Sequence, residues 1–297
     1  MNKFRVTVGV PTHNSENFLE STLKSVDEAM KILPKSRFDC EFIVCLDHCT
    51  DNTENITRRI SGEFKLPNFR IITNDSKVSG KAACLNKIAK TAAGDILVFI
   101  DDDISLDQSV ILNCLDALID NNNIKIVFSA SKPKDRFIKN PWHKFWHNVF
   151  KVKFEENIYK GSDPYFVGRL FAIWRKNFIR LPNNLLNEDQ FLHVIYYPNI
   201  RKITKSAVYF YSVETPMAYL GRFFRIRKGI EQIRVLFSEE KLKRVEHIKR
   251  KVKLEKVLKM PIQKIIYFLI YRLMRFLAVT PYKLYGKKKQ GWFRASH

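Results

Sequence analysis

Residues 96–100 read Ile-Leu-Val-Phe-Ile and are followed at once by Asp101-Asp102-Asp103. Five apolar residues in a row leave no polar face. Such a segment belongs to a strand covered on both sides, the place of a central strand in a parallel sheet flanked by helices. The surrounding sequence supplies the rest of that architecture. Strand-length apolar runs at 4–10, 41–46, 69–72 and 124–130 alternate with helical periods over 15–33, 51–60, 80–92 and 108–121. Asn14 and Ser15 are cap candidates for the first helix, and Gly94 is the expected stop of the third. A β-α-β-α-β order predicts a parallel sheet with right-handed crossovers. Ligands of such sheets sit beyond the carboxyl ends of the strands, so the polar residues there are the first candidates for a site.

The second half is less regular. Residues 141–154 are rich in aromatic and basic side chains, including Trp142, His143, Trp146, His147 and Phe150. Further strands are predicted at 165–174 and 203–211, with a short helix opening at Glu188. Three helices follow Pro216, over 217–237, 239–259 and 262–279. Charge is divided unevenly: residues 1–200 carry 27 basic and 24 acidic side chains, and residues 201–297 carry 25 and 6. A nearly neutral domain with a strongly cationic extension calls for an anionic partner of the extension, a membrane surface or a nucleic acid. The five cysteines (Cys40, Cys45, Cys49, Cys84 and Cys114) show no secreted framework, and Cys84 and Cys114 read as buried free thiols. Cys45-x-x-His48-Cys49 lacks the second ligand pair of a zinc site. With a strand directly after Met1-Asn2-Lys3 and no signal peptide, a reducing cytoplasmic compartment is expected.

Four polar clusters follow predicted elements: Pro11-Thr12-His13-Asn14, Asp47-His48-Cys49-Thr50-Asp51, Asp101-Asp102-Asp103 and, much later, Asn187-Glu188-Asp189. Three adjacent carboxylates at a strand end repel one another. A hard divalent cation completed by diphosphate oxygens would relieve that repulsion, and so would a solvated turn at the positive start of the next helix. The triplet alone leaves both open.

In combination these pieces resemble family 2 glycosyltransferases. The resemblance rests on Val8–Asn14 with Glu16, on Phe42–Asp47 with Thr50-Asp51, on Gly80–Asn86, and on Ala93–Asp103 in that order. It is close over residues 5–120 and looser over 161–192. It implies a GT-A fold: a Rossmann-like, mixed but mainly parallel sheet flanked by helices, here with a C-terminal helical extension. It also implies an inverting transfer from a nucleoside-diphosphate sugar with Mn²⁺ or Mg²⁺, UDP-sugar being favoured and GDP-sugar the alternative. On this resemblance Pro11, Thr12 and Glu16 border the base and ribose, and Asp47 accepts a hydrogen bond from the base edge. Lys81 lies near the diphosphate, though a solvated lysine at a helix start is the plainer reading. Asp101 and Asp103 are the two ends of the D-x-D motif, Asp103 being the direct metal ligand and Asp101 and Asp102 standing nearer the ribose. Asp189 is the base for the acceptor hydroxyl and Glu188 its companion; without the upstream match the two would read as an ordinary helix-start pair.

Two departures are visible. Leu46-Asp47-His48-Cys49 stands where the family often has Asp-Asp-Gly-Ser. In Arg222-Phe223-Phe224-Arg225-Ile226, Ile226 replaces the tryptophan of polymerising members, which argues against processive synthesis. Arg222, Arg225 or Arg227 could reach the diphosphate or simply form a basic helix face.

The expected organisation is a catalytic domain over 1–215, divided at about residue 120 into nucleotide-binding and acceptor-side halves, then a membrane-associating extension over 216–297. The apolar stretch after Ile262 is too short to span a bilayer and is interrupted by Arg272 and Arg275. A basic amphipathic helix lying in the interface fits it, as does a stripe packed on the domain. An anionic membrane surface, at the inner face of the cell membrane, and a saccharide or lipid-linked acceptor are the expected partners; no nucleic-acid module is evident. The rivals are a nucleotidyltransferase of similar topology and a catalytically silent membrane scaffold.

Overall fold

The computed structural model describes residues 3–64, 66–134, 141–155, 165–211, 215–246 and 261–277. The chain divides into two units, one of Met1–Ser131 with Phe166–Tyr209, the other of Lys132–Tyr165 with Phe210–His297. Residues 132–165 thus group with the C-terminal segment, where a purely linear division would leave them with residues 121–215.

The first unit runs β1 (Phe4–Thr12), α1 (Leu19–Lys31), β2 (Phe38–Leu46), α2 (Thr53–Glu63), β3 (Phe69–Thr73), α3 (Lys81–Thr91), β4 (Ile96–Ile100), β5 (Ile104–Leu106) and α4 (Val110–Ile119). It continues into β6 (Ile126–Pro133), then β7 (Leu170–Trp174), α6 (Glu188–Tyr196) and β8 (Ile200–Phe210). The strand order is β3-β2-β1-β4-β7-β6-β8-β5. The first four strands are parallel, with Val8 opposite both Phe42 and Val98. All five residues of β4 are buried, as their two-sided apolar pattern requires; each such side chain contributes about 1.5–3 kcal/mol.

Several boundaries differ from expectation, each for a local reason. The central strand is parallel on one side only, because β7 runs antiparallel to β4 and β6. An apolar run that is buried on both faces carries no information about the direction of its neighbours. Helix α1 begins at Leu19, not near Ser15, since the cap candidates are engaged elsewhere. Asn14 takes a left-handed φ of 47° and its Oδ1 accepts from Thr50 N. Ser15 N donates to Thr53 Oγ1 and Ser15 Oγ to the Asp102 carbonyl. Gly94 is not a left-handed helix stop; α3 ends at Thr91, and a Cβ on Gly94 would lie 2.5 Å from Thr7 N. The three-residue strand β5 is too short to leave a periodic signal.

The second unit contains α5 (Pro141–Glu155), α7 (Pro216–Leu236), α8 (Glu239–Glu246) and α9 (Ile262–Leu277). Its described core is aromatic. Trp146 is fully buried and stacks on Tyr219 with centroids 4.2 Å apart. Tyr267 and Tyr271 of α9 meet Phe145 and Trp146 of α5, and Asn148 Nδ2 donates to Tyr267 Oη at 3.2 Å. The other face of α9 is apolar and exposed: Ile262 is 77% accessible and Phe276 74%, with Ile266, Leu269 and Leu273 between them. No helix among the described residues is long and apolar enough to cross a membrane. The helices expected over 239–259 and 262–279 reach into residues 247–259 and 278–279, which lie outside the described residues, as do residues 161–164 of the looser family match.

Candidate active site

The acidic triplet leaves β4 in three different environments. Asp101 N donates to the Arg169 carbonyl at 2.8 Å, which fixes it beside the segment entering β7. Its Oδ1 lies 2.5 Å from Lys81 Nζ. Burial pushes the Asp101 carboxyl up to about 7; Lys81 works against that rise and the charge of Asp103 adds to it. Asp102 is only 5% exposed. Its Oδ2 accepts from Thr12 Oγ1 at 2.6 Å and His13 N at 3.2 Å, and its carbonyl accepts from Ser15 Oγ and Thr22 Oγ1. Asp102 therefore clamps the end of β1 to the end of β4. Asp103 is half-exposed and has no hydrogen bond or ion pair among the described residues.

The acceptor-side pair opens α6, whose Asn187 side chain caps the helix by accepting from Gln190 N. Glu188 Oε1 lies 2.8 Å from Lys81 Nζ. Lys81 Nζ also donates to the Gly168 carbonyl at 3.2 Å, so one ammonium joins the triplet, the Glu-Asp pair and the turn before β7. Asp189 Oδ1 is buried with no hydrogen-bond partner. Burial and the neighbouring Glu188 charge raise the Asp189 pKa, while Lys81, the Gly168 backbone and Arg169 oppose the rise. Gly168 makes the arrangement sterically feasible: a Cβ there would stand 2.4 Å from Asp189 Oδ1.

Asp47 does stand at the end of β2, but it is 0% exposed and its carboxylate is committed to the protein. Its Oδ1 accepts from Asn74 Nδ2 at 2.6 Å and lies 3.0 Å from His48 Nδ1; its Oδ2 accepts from Ser79 Oγ and Gly80 N, both at 2.8 Å. Placed like this, Asp47 anchors the 74–80 loop. Lys81 likewise faces carboxylates where a diphosphate contact was expected. Thr12 is fully buried with its hydroxyl on Asp102, and Pro11 is buried inside β1. Glu16 is exposed and accepts from Asn52 N, helping to join the loops after β1 and β2. Arg222 and Arg225 lie on α7 of the second unit, both half-buried. Missed altogether were Gly168, whose only signal is a glycine just ahead of a strand, and the loop anchors Asn74 and Ser79.

A divalent ion fits the donor set in one particular way. Among the described residues no group of three or more His, Cys, Asp or Glu side chains is arranged to hold an ion. Asp103, with Asp101 two residues before it, offers the one- or two-carboxylate site that Mg²⁺ or Mn²⁺ takes when substrate phosphates complete the shell.

Known proteins match the chain at several levels. The glycosyltransferase AglD of Haloferax volcanii is 31% identical over 104 residues, a stretch that makes up 35% of this chain and 16% of that protein. The solved structure of the mannosyltransferase PcManGT from Pyrobaculum calidifontis, in complex with GDP-Man and Mn²⁺, superposes with a TM-score of 0.61 at 17% identity, covering 99% of this chain and 78% of that one. Glucosyl-3-phosphoglycerate synthase from Mycobacterium tuberculosis, in complex with Mn²⁺, UDP and its product, gives 0.50 at 19% identity over 76% and 77%. These likenesses establish a GT-A fold. The model of Glycosyl transferase family 2 matches residues 7–181, more than half of the chain, and includes most of β1, the triplet and Gly168. The chain therefore belongs to glycosyl transferase family 2.

Proposed function

We propose that the chain moves one sugar, with inversion, from a nucleoside-diphosphate sugar to an acceptor hydroxyl, and that it works at an anionic membrane surface. The observation that carries the chemistry is the meeting of the D-x-D triplet and the Glu188-Asp189 pair on one lysine: Lys81 Nζ is 2.5 Å from Asp101 and 2.8 Å from Glu188. Donor-side and acceptor-side carboxylates, 87 residues apart, thus line one rim. Asp189, with an unpartnered buried oxygen and a raised pKa, takes the proton of the attacking hydroxyl. Glu188 supports it from the preceding position. A divalent ion at Asp103, with Asp101 beside it, would offset the charge that develops on the departing nucleoside diphosphate. GDP-Man with Mn²⁺ in PcManGT, and UDP with Mn²⁺ in the mycobacterial synthase, support a donor and ion of these classes here. A UDP-sugar remains the favoured donor, with a GDP-sugar as the alternative.

The membrane reading rests on α9. Its tyrosines pack on α5, while the apolar row Ile262, Ile266, Leu269, Leu273 and Phe276 is exposed. From residue 256 to the C-terminus the sequence has ten Lys or Arg and no Asp or Glu. A second copy of this face would bring like charges together, whereas an anionic leaflet complements it at roughly 1 kcal/mol per basic residue. A lipid-linked saccharide is then the natural acceptor.

The test is a screen of UDP- and GDP-sugars with Mn²⁺ or Mg²⁺ for nucleoside-diphosphate release, repeated with Asp103→Asn and Asp189→Asn. Full turnover by either variant would remove the mechanism, and pyrophosphate release from a nucleoside triphosphate would point to a nucleotidyltransferase. Sedimentation with phosphatidylglycerol vesicles, but not with phosphatidylcholine vesicles, is expected. Equal or absent binding to both would remove the membrane address.

A further inference from the structure

We propose that Lys81 is a positioning residue for the acceptor-side carboxylates, holding the Glu188-Asp189 turn against the acidic triplet and the Gly168 turn, and is not a ligand of the donor's diphosphate. This rests on the role given to Asp189 above.

Three oxygens surround the ammonium. Asp101 Oδ1 at 2.5 Å and Glu188 Oε1 at 2.8 Å are its ion-pair neighbours, and the Gly168 carbonyl accepts a hydrogen bond from it at 3.2 Å. The side chain is 17% exposed, which leaves little of it for a solvent-borne ligand. Its placement is also built from beneath. Asp47 Oδ2 accepts from Gly80 N, the residue that precedes the first position of α3, so a fully buried carboxylate fixes where Lys81 starts.

What Lys81 joins matters more than the number of contacts. Asp101 follows β4, Gly168 precedes β7 and Glu188 opens α6; these three segments are remote from one another in sequence. The same Gly168 whose carbonyl takes the lysine is the one whose missing Cβ makes room for Asp189 Oδ1. Displacing the ammonium therefore removes its ion pair with Glu188 and its bond to the Gly168 carbonyl, beside which Asp189 rests. Electrostatics points the same way. Asp101, Glu188 and Asp189 are like charges in a poorly solvated place, and the cations acting on Asp189 are Lys81 and Arg169. Removing one partner of such a buried set leaves the others uncompensated. The pKa of Lys81 is raised despite burial, because Asp101, Glu188 and Asp189 all favour its charged form.

Four variants decide the matter: Lys81→Met, Lys81→Arg, Glu188→Gln and the double variant Lys81→Met with Glu188→Gln. UDP and GDP affinities in Mn²⁺ are measured by calorimetry, and transfer is measured at saturating donor. Lys81→Met should bind the nucleoside diphosphate within about threefold of the parent yet lose kcat by about 30-fold or more, the order expected for a misplaced reacting group. Lys81→Arg should recover at least a tenth of the parental kcat, since it restores charge and reach. Thermal melts give a readout independent of turnover: Lys81→Met should lower the Tm, and adding Glu188→Gln should recover part of it. A tenfold or greater loss of nucleotide affinity with kcat unchanged would assign Lys81 to the diphosphate and overturn the proposal. So would a double variant whose Tm loss is simply additive. If the parent transfers no sugar at all, the functional reading fails by itself, while the melting cycle and the nucleotide affinity still judge Lys81.

Discussion

Glu41 and Asp189 are both carboxylates of the first unit, set at opposite ends of its parallel strands. Glu41, toward the amino end of β2, accepts from Thr7 Oγ1 at 2.5 Å, Arg70 Nη2 at 2.6 Å and Ala93 N at 2.6 Å. Burial alone would raise its pKa, but the bonds from Thr7 and Ala93 and the charge of Arg70 outweigh it and hold the pKa below its ordinary value. Asp189, beyond the carboxyl ends, keeps a buried oxygen without a partner, and its pKa is raised. The first arrangement is what a protein does with a carboxylate it needs only for structure. The second is costly to keep ionised and suits a group that must take up a proton. The difference locates function at one rim of the sheet and stability at the other.

Substitutions can break that contrast, and the largest effect is expected at Asp189. Asp189→Asn should lower transfer by about 10²–10⁴-fold, the usual worth of a general base. At neutral pH its Tm should stay level or rise, because a carboxylate that is costly to ionise is gone. Parallel kinetic and melting measurements check this; a Tm fall as large as that of Glu41→Gln would make Asp189 a structural residue too. Next comes Gly168→Ala. The added Cβ must displace Asp189 Oδ1, so transfer should drop by about 10- to 100-fold, with donor affinity retained in a nucleotide titration. Glu41→Gln should do the reverse, costing about 1.5–3 kcal/mol of unfolding free energy in urea while turnover per folded molecule stays parental.

The smallest effect is in pH. A depressed folded pKa makes Glu41 stabilising above its ordinary value of 4.5, a contribution lost as pH falls through the folded pKa. The stability gap between the parent and Glu41→Gln should therefore close on acidification. For Asp189 the sign is opposite: ionisation costs stability as pH rises, and the acid limb of kcat/KM should lie above the ordinary carboxylate value of 3.8. That limb belongs to the coupled Glu188-Asp189 pair, under the influence of Lys81, Arg169 and Asp101.

The elements that were legible in the sequence are those whose pattern states their environment. β4 announced itself by five apolar residues, and Asp101–Asp103 by standing immediately after it. Less legible were features set by contacts between distant segments. No local pattern says that Asn14 and Ser15 will bond to the loop at residues 50–53 in preference to capping α1, or that β7 will run against β4. The family resemblance assigned Asp47 and Lys81 by position along the chain. The donors that occupy Asp47, and the carboxylates that surround Lys81, come from other loops, and only the folded arrangement reveals them.

The reversed strand β7 has a consequence for how this rim tolerates change. Its pairing sets Ile100 opposite Leu170 and Val98 opposite Ala172, and the backbone bond from Asp101 to Arg169 continues that ladder into the site. Core and chemistry therefore share one register. Deleting a single residue within 170–174 would turn Phe171 and Ile173 to the opposite face and, in the same slip, carry Gly168 away from Asp189. For anyone reshaping the acceptor side of this protein, length changes belong in the loops flanking α6, and β7 is the ruler against which they have to be measured.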